Sequence, residues 1–141
     1  MKKLILCTTK DQLVDHYLIR KTVFIDEQKI SYEDEYDFTE KEALPFLLFH
    51  QGIAVGASRI RFENDYAKLE RICILKPYRG KGLGRILLDE MMDYSRKLGV
   101  NKFELGAQAY AIPFYEKCGF RVISALYYDA GIPHFKMKKE S

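Results

Sequence analysis

The spacing of apolar and polar positions predicts a strand and then a helix in the N-terminal part of the chain. A short apolar run covers 3–7, and apolar positions with helical spacing follow over about 10–24, where Thr9 can cap the helix. The apolar positions of this helix are Leu13, Val14, Tyr17, Leu18 and Val23. The helix is therefore expected to pack this face on the core.

Three apolar runs separated by turn signals predict an antiparallel meander in the middle of the chain. The turn signals are Gln51-Gly52 and Asn64-Asp65, and residues that favour strands flank each of them. Strands joined by such short turns pair in antiparallel fashion. The three predicted strands cover 45–50, 53–62 and 66–75.

The C-terminal half predicts two more helices and the remaining strands. A helix with an apolar face ends at Gly99, and a shorter helix over 109–118 ends at Gly119. Strands are predicted at 101–107, 120–128 and 134–138. Because a long helix connects 66–75 to 101–107, these two strands are expected to be parallel. The pattern thus predicts an α/β fold with a mixed sheet.

Composition places the chain among globular proteins. It has 141 residues, of which 48% are hydrophobic and 30% charged, so we expect one domain over 1–141 rather than a disordered chain. The net charge of +3 is too small to argue for nucleic acid. No apolar stretch approaches the roughly 20 residues of a membrane helix, which predicts a cytoplasmic protein without a membrane partner.

The cysteines and histidines do not have the spacing of a metal site. The three cysteines stand far apart without a CxxC pair, so we expect reduced buried thiols and neither disulfides nor zinc. The three histidines likewise lack ligand spacing, and no metal is predicted.

Charges of opposite sign are concentrated in two different segments. Eight acidic residues and only two lysines lie between Asp26 and Glu42. Four cations and no acid lie between 76 and 85, namely Lys76, Arg79, Lys81 and Arg85. An acidic run is most often a solvated face.

The basic segment contains a glycine-dense loop between a predicted strand and a predicted helix. Gly80, Gly82 and Gly84 permit positive φ and a close approach of the backbone to a ligand. The N-terminus of the helix adds unpaired N–H groups and a positive dipole end, so the segment suits a phosphate or pyrophosphate. The spacing differs from that of Walker A and GxGxxG loops, and on these residues alone a structural tight turn is the alternative.

Two motifs resemble the GNAT N-acetyltransferase superfamily. Leu69–Leu75 followed by Arg79-x-x-Gly82-x-Gly84 resembles its acetyl-CoA motif, Q/R-x-x-G-x-G/A. The segment 111–120, AIPFYEKCGF, is similar to its FYxKxGF helix end. The resemblance covers about 46–128, and the order of elements over the whole chain also fits. The ending Asp129–His134 resembles a small bacterial GNAT branch.

The resemblance implies a GNAT fold with a splayed pair of parallel strands and acetyl-CoA as co-substrate. In that family the loop amides bind the pyrophosphate of CoA. The backbone of the preceding strand pairs with the pantetheine arm and polarises the thioester carbonyl. The implied cofactor-binding residues are Ile72, Cys73, Ile74, Arg79, Gly80, Lys81, Gly82, Leu83, Gly84 and Arg85.

Two residues match catalytic positions of the family. Tyr115 matches a tyrosine that donates a proton to the departing CoA thiolate, and the alternative is a core aromatic residue. Glu70 occupies the position where some members place a general base, and a strand carboxylate paired with neighbouring arginines is an equal alternative. Cys73 is expected to be a small buried residue, since direct transfer is the family's habit.

The acceptor site is implied less specifically. The region after the first helix shapes this site in the family, so Glu27 and Gln28 are the expected contacts, and an acidic mouth would favour a cationic amine. His134 can reach the site as a secondary base, although a lone histidine is more often structural.

The predicted function is transfer of the acetyl group of acetyl-CoA to a primary amine of a small molecule or peptide. The alternative is a non-catalytic module that binds and senses acyl-CoA. A nucleic-acid partner is not expected, because the basic segment lacks interleaved aromatic residues. GNAT proteins are often dimers, which favours a homodimer.

Overall fold

The computed structural model describes residues 2–36 and 38–140 and arranges them around one eight-stranded sheet. The strands are β1 (Lys2–Leu6), β2 (Leu44–His50), β3 (Ile53–Glu63), β4 (Tyr66–Ile74), β5 (Lys102–Gln108), β6 (Arg121–Val122), β7 (Tyr127–Asp129) and β8 (Ile132–Glu140). The helices are α1 (Lys10–Arg20), α2 (Tyr32–Glu35), α3 (Leu83–Lys97) and α4 (Ile112–Lys117). A π-helical segment, Lys21–Glu27, continues α1, and short 3-10 turns cover Phe38–Glu42, Lys76–Tyr78 and Ala109–Ala111.

The sheet has the order β1-β2-β3-β4-β5-β8-β6, with β7 added on β8. The strands β2, β3 and β4 are consecutive antiparallel neighbours, which confirms the predicted meander. The strands β4 and β5 are parallel, as the intervening helix α3 predicts. The mixed α/β fold class is thus confirmed.

Each face of the sheet carries its own core. On one face the buried side chains of α3, among them Leu83, Leu87 and Met91, pack on the strands. On the other face Ile19 of α1 and Val23 of the π-helical segment pack on β2 and β3. The sheet is therefore sandwiched between α3 and α1, and its central strands are buried on both sides.

A bulge interrupts β4 at its centre. Arg59 of β3 pairs with Glu70, but Ala57 of β3 pairs with Cys73, so β4 carries one residue more than β3 between these pairs. Arg71 lies in the bulge with a φ of 54°. Left-handed backbone is rare for a residue with a long side chain, so surrounding contacts must hold this conformation.

The bulge changes which side chains of β4 share a face. Simple alternation would place Leu69 with Cys73 and Leu75. Instead Leu69 packs in the α3 core together with Ile72 and Ile74, while Cys73 and Leu75 pack on the α1 side. After the bulge, the residues of β4 that alternation assigns to the α3 side therefore face the α1 side, and the reverse.

The predicted buried face of α1 is wrong in part, since Val23 is buried and Leu13 packs against the core while other members of the stripe are exposed. Thr9 caps the helix as predicted, with a capping box to Gln12, but Val14 and Leu18 are 48% and 55% exposed. The fully buried side chains are polar, namely His16 and Arg20. The spacing of apolar positions cannot predict this face, because its buried side chains are polar. Ion pairs and hydrogen bonds compensate the cost of burying them.

A network of ion pairs surrounds Arg20 below the sheet. The guanidinium of Arg20 donates to Glu35 at 2.6 Å and to Glu40 at 2.7 Å. Glu40 also pairs with Arg59 of β3, which donates to Glu70 of β4 at 2.9 Å. Arg20 and Arg59 are 0% and 1% exposed. The network fastens α1 and the segment 32–42 to the central strands.

The C-terminal hairpin differs from the prediction. The expected strand over 120–128 is two short strands, β6 and β7, and only β8 extends across the sheet. Ala130 and Gly131 have φ of 53° and 74°, which is typical of a two-residue hairpin turn between β7 and β8. The turn is thus shorter than the gap between the predicted strands 120–128 and 134–138, and β8 starts at Ile132.

None of the helices in the described parts of the chain combines the length and apolar character that a membrane crossing requires.

The buried histidine of α1 predicts a pH-dependent stability. His16 donates from Nδ1 to the carbonyl of Phe46 at 2.9 Å, and its Nε2 accepts from Arg20 at 3.2 Å, so the ring is neutral. Burial lowers the pKa of His16 to about 4. Because the unfolded chain takes up this proton near pH 6.5, stability falls as the pH drops from about 6.5 to 4. We expect a loss of about 2 kcal/mol between pH 7 and pH 5.

Urea unfolding of the wild type and of His16→Gln at both pH values measures this loss. The variant should lose the part of the pH dependence that His16 contributes, whereas the matched variant His50→Gln should keep it. The same pH dependence in the wild type and in His16→Gln would contradict the assignment.

Candidate active site

A cleft opens between β4 and β5 because these parallel strands pair at one end only. The pairs are Ala67 with Phe103 and Lys68 with Glu104. Beyond them lies a cavity of about 210 Å³, whose wall also includes residues after α1, at the start of α4 and in the β7–β8 hairpin. The splayed strand pair that the resemblance implies is therefore present.

The glycine-dense loop joins β4 to α3 with its amides unpaired. Gly80 and Gly82 have φ of 78° and 77°, and no atom lies within 4 Å of a Cβ built on either. In the described chain, the N–H groups of Gly80 to Arg85 donate to no backbone carbonyl. Six free amides at a helix N-terminus suit an anion.

Gly84 has a different role from the other two glycines. It lies in the first turn of α3 with ordinary helical φ, so the expected positive φ is wrong at this position. A Cβ on Gly84 would lie 3.6 Å from the ring of Phe114 in α4. The loop end of α3 therefore packs beside α4, the helix that carries Tyr115.

The side chain and the backbone N–H of Arg79 both bind groups of the protein itself. Its guanidinium holds Glu27 in a bidentate ion pair at 2.6 and 2.8 Å, and its Nε donates to the carbonyl of Ile74 at 2.8 Å. Its N–H donates to the carbonyl of Lys76 at 3.2 Å. The free amides thus begin at Gly80, one residue later than the motif alone predicts.

The other loop residues divide into an anchor and exposed cations. Leu83 is 2% exposed and anchors the start of α3 in the core, so only its backbone is available to a ligand. Lys76, Lys81 and Arg85 are exposed, and Arg85 also donates to the carbonyl of Lys117 at 3.3 Å. Positive charge therefore surrounds the free amides.

The second half of β4 borders the cleft. Ile72 lines the cavity, whereas Cys73 and Ile74 follow it toward the loop. The thiol of Cys73 donates to the carbonyl of Ala57 at 3.6 Å, and burial raises the pKa of Cys73 to about 12. A thiol held protonated in this way is a poor nucleophile, in keeping with its predicted role as a small buried residue.

Tyr115 reaches the cavity from α4. Its ring packs edge-on against Phe114 and Phe120, with centroids 5.1 and 6.1 Å away. Burial raises the pKa of Tyr115, so the hydroxyl stays protonated at neutral pH. Among the described residues this hydroxyl has no hydrogen-bond partner, and it is therefore free to donate to a bound group.

Glu70 lines the same cavity but is surrounded by cations. Its carboxylate accepts from Arg59 and Arg61 at 2.9 Å each, and Lys68 lies 3.5 Å away. Burial alone would raise the pKa of Glu70, but Arg61, Arg59 and Lys68 hold it below its ordinary value. A carboxylate stabilised in this way takes up a proton weakly, which favours the ion-paired alternative.

His134 lies in the wall of the cavity, and one of its ring nitrogens bonds no other described residue. It is 9% exposed, stacks on Tyr127 with centroids 5.8 Å apart, and donates from Nδ1 to the carbonyl of Ile132 at 2.7 Å. Since a carbonyl only accepts, Nδ1 carries a proton and Nε2 of the neutral ring has a free lone pair. Gly106 provides space here, because a Cβ would lie 2.6 Å from the Tyr127 hydroxyl oxygen.

The two residues predicted to contact the acceptor are separated by the structure. Gln28 lines the cavity and accepts from Gln108 of β5 at 2.9 Å. Glu27 is outside the cavity wall and pairs with Arg79, which lowers the pKa of Glu27. The expectation that Glu27 lines the acceptor pocket is therefore not met, because the loop arginine binds its carboxylate.

The acidic segment mainly anchors the fold. The acids of this segment that pair with cations are Asp26 with Lys21, Glu27 with Arg79, Glu35 with Arg20 and Arg71, and Glu40 with Arg20 and Arg59. Asp34 and Glu35 line the cavity, and Asp37 lies outside the described residues. The predicted carboxylate-rich acceptor mouth is thus reduced to a few groups.

Sequence reasoning missed several contributors to the cavity. Arg71 and Tyr127 line it, and Gly106 leaves room for Tyr127. The bulge at Arg71 has no local sequence signal, because neither glycine nor a turn pair marks it. In the described ranges, no group of three or more His, Cys, Asp and Glu side chains is arranged to hold a metal ion.

Comparison with known proteins agrees with this geometry. The sequence model of the acetyltransferase (GNAT) domain matches residues 6–141. The relative named uncharacterized N-acetyltransferase YjcF, from Bacillus subtilis (strain 168), is 39% identical over 139 residues, which are 98% of this chain and 99% of the relative.

Solved structures show the same fold. A crystal structure from Lactobacillus plantarum is 28% identical with a TM-score of 0.91 and covers 99% of this chain and 97% of its own. A GNAT family acetyltransferase from Elizabethkingia anophelis, solved with acetyl-CoA bound, has a TM-score of 0.76 at 14% identity and covers 99% and 98%. Because the family match spans nearly the whole chain and includes the splayed strands and the loop, the chain belongs to the GNAT acetyltransferase family of acyl-CoA-dependent N-acyltransferases.

Proposed function

We propose that the protein transfers the acetyl group of acetyl-CoA to the primary amine of a small molecule or peptide. The observation that carries the proposal is the cavity between β4 and β5, because Tyr115 and His134 both line it. A proton donor and a proton acceptor in one space suit a reaction that takes a proton from an amine and delivers one to a thiolate.

The loop and β4 would hold the co-substrate. The free amides of Gly80 to Arg85 would bind the pyrophosphate, with Lys81 and Arg85 adding positive charge around it. The pantetheine arm would lie along Ile72, Cys73 and Ile74, where β4 has separated from β5. In this position the thioester reaches the cavity that contains Tyr115.

The chemistry is a direct transfer. The neutral amine nitrogen attacks the thioester carbonyl carbon, and a backbone N–H of β4 stabilises the oxyanion that forms. The C–S bond then breaks, and the CoA thiolate takes a proton from the hydroxyl of Tyr115. The amine nitrogen loses its proton to a base, and Tyr115 regains its own from solvent.

We assign the base to His134 in preference to Glu70. His134 lines the cavity and uses only Nδ1 in its bond to the Ile132 carbonyl, whereas three cations hold the Glu70 carboxylate and lower its pKa. His134 would take the proton directly or through one water molecule.

Two measurements separate the enzyme from an acyl-CoA sensor. Calorimetry with acetyl-CoA measures binding, and release of free CoA thiol over a panel of primary amines measures turnover. The proposal expects binding together with thiol release that depends on at least one amine. Tight binding without thiol release for any amine would favour the sensor.

Gly82→Asp should reduce the affinity for CoA by at least about 100-fold, because the new carboxylate repels the pyrophosphate at the free amides. Calorimetry with CoA measures this loss. Gly99→Asp is the matched control, because Gly99 also has positive φ and an open Cβ position but lies at the other end of α3. CoA affinity that survives Gly82→Asp would overturn the loop assignment.

Tyr115→Phe should lower kcat by about 100-fold while CoA affinity stays nearly the same, because only the hydroxyl that protonates the thiolate is removed. Steady-state thiol release and calorimetry measure the two quantities. Tyr94→Phe, on α3 against Phe46, is the control and should retain wild-type kcat. An unchanged kcat in Tyr115→Phe would remove this residue from the mechanism.

A further inference from the structure

We infer that Glu35 is a positioning residue that holds the β4 bulge and thereby aims the backbone of β4 at the thioester carbonyl. The inference rests on the proposed function, because it assigns a role to Glu35 in polarising bound acetyl-CoA. Glu35 lies on α2, more than thirty residues before the bulge in sequence.

The carboxylate of Glu35 bridges two arginines in the interior. Oε1 forms an ion pair with Nε of Arg71 at 2.9 Å, and Oε2 accepts from Nε of Arg20 at 2.6 Å. The side chain of Glu35 is 1% exposed. Breaking a buried pair at one partner leaves the other charge uncompensated, so the two arginines and Glu35 form a single rigid unit.

The backbone of α2 adds to this attachment. The carbonyl of Glu35 accepts from Arg20 at 3.0 Å and from Arg71 at 3.2 Å, and the carbonyl of Asp34 accepts from Arg71 at 3.1 Å. Arg71 is thus held at its charged head by both the side chain and the main chain of α2. These contacts fix the position of a residue whose own backbone is strained.

The strain at Arg71 makes such an attachment necessary. Its φ of 54° is unfavourable for a residue with a Cβ, and a bulge can relax toward regular pairing when nothing holds it. In the bulge, Ser58 of β3 faces both Arg71 and Ile72. Losing the Glu35 contact would therefore release the two residues that turn β4 toward the cleft.

Loss of the contact between Glu35 and Arg71 would affect the residues of β4 that follow the bulge. Ile72 follows Arg71 directly and lines the cavity, and Cys73 resumes regular pairing with Ala57. The N–H groups that would polarise the thioester belong to this short stretch. A small rotation of these peptide groups would point their N–H away from the thioester carbonyl, and the hydrogen bond would weaken because its strength depends on its angle. The loop amides that bind pyrophosphate would remain in place.

The carboxylate itself is not suited to act on substrate. Its two oxygens are already paired with Arg20 and Arg71, and a free negative charge beside a developing oxyanion would oppose catalysis. The two guanidinium groups neutralise it. Glu35 consequently acts through Arg71, as a positioning residue rather than a catalytic one.

The test measures the polarisation of the thioester carbonyl in bound acetyl-CoA. Isotope-edited infrared difference spectra of [1-13C]acetyl-CoA on the protein give the stretching frequency of the thioester carbonyl without any acceptor. A hydrogen bond to the carbonyl lowers this frequency relative to water. We expect Glu35→Gln to reverse at least half of the lowering, with CoA affinity within about threefold of wild type.

Matched variants keep the result interpretable. Glu33→Gln removes the same charge from an exposed position of α2 and should leave the frequency at the wild-type value. Glu35→Asp retains the charge but is one methylene shorter, so it should give an intermediate frequency. If circular dichroism shows that Glu35→Gln is unfolded, Glu35→Asp decides the question.

The outcomes distinguish the inference from the proposed function. A wild-type frequency in a folded Glu35→Gln, or in Glu35→Asp when that variant decides, would overturn the positioning role. Absence of acetyl-CoA binding to the wild type, or a bound carbonyl that is no more polarised than in water, would overturn the proposed function itself.

Discussion

The buried ion pairs around Arg20 are the interaction on which the rest of the structure depends. Arg20 joins Glu35 and Glu40, and these carboxylates reach Arg71 and Arg59 of the central strands. Removing one member of such a set costs about 3–5 kcal/mol, because a charge is left buried without a partner. The chain after α1 also buries Val23 and Phe24 against the sheet, so these pairs and a small apolar core together hold it against β3 and β4.

The same chemistry secures both ends of the cofactor cleft. At the loop end Glu27 binds Arg79, whose Nε donates to the carbonyl of Ile74, and at the bulge Glu35 binds Arg71. Two acids of one segment thus attach to two arginines that flank the part of β4 that does not pair with β5. The splayed strand would otherwise lack a neighbour on the side of β5, so this segment replaces part of the missing support.

The sequence predicted the elements that follow simple periodicity and missed those that depend on distant charge partners. The meander, the parallel pair and the ends of α3 and α4 at Gly99 and Gly119 were predictable, because turns and helix ends have local signals. The buried face of α1 was not, since the partners of His16 and Arg20 lie on other elements. The acidic segment was equally ambiguous, because its arginine partners come from four other places in the chain.

Pairing of the interior charges has a chemical consequence for the cleft. Glu35 and Glu70 are compensated by arginines, so the proposed exchange of protons with bound substrate falls to Tyr115 and His134. Burial keeps the tyrosine protonated, and the carbonyl of Ile132 binds Nδ1 of the histidine, which leaves Nε2 as the nitrogen that can accept a proton. A proton can then leave the amine and another reach the thiolate with little change in the net charge of the cleft. Neutral proton carriers thus avoid the desolvation cost that a buried, unpaired carboxylate base would bring.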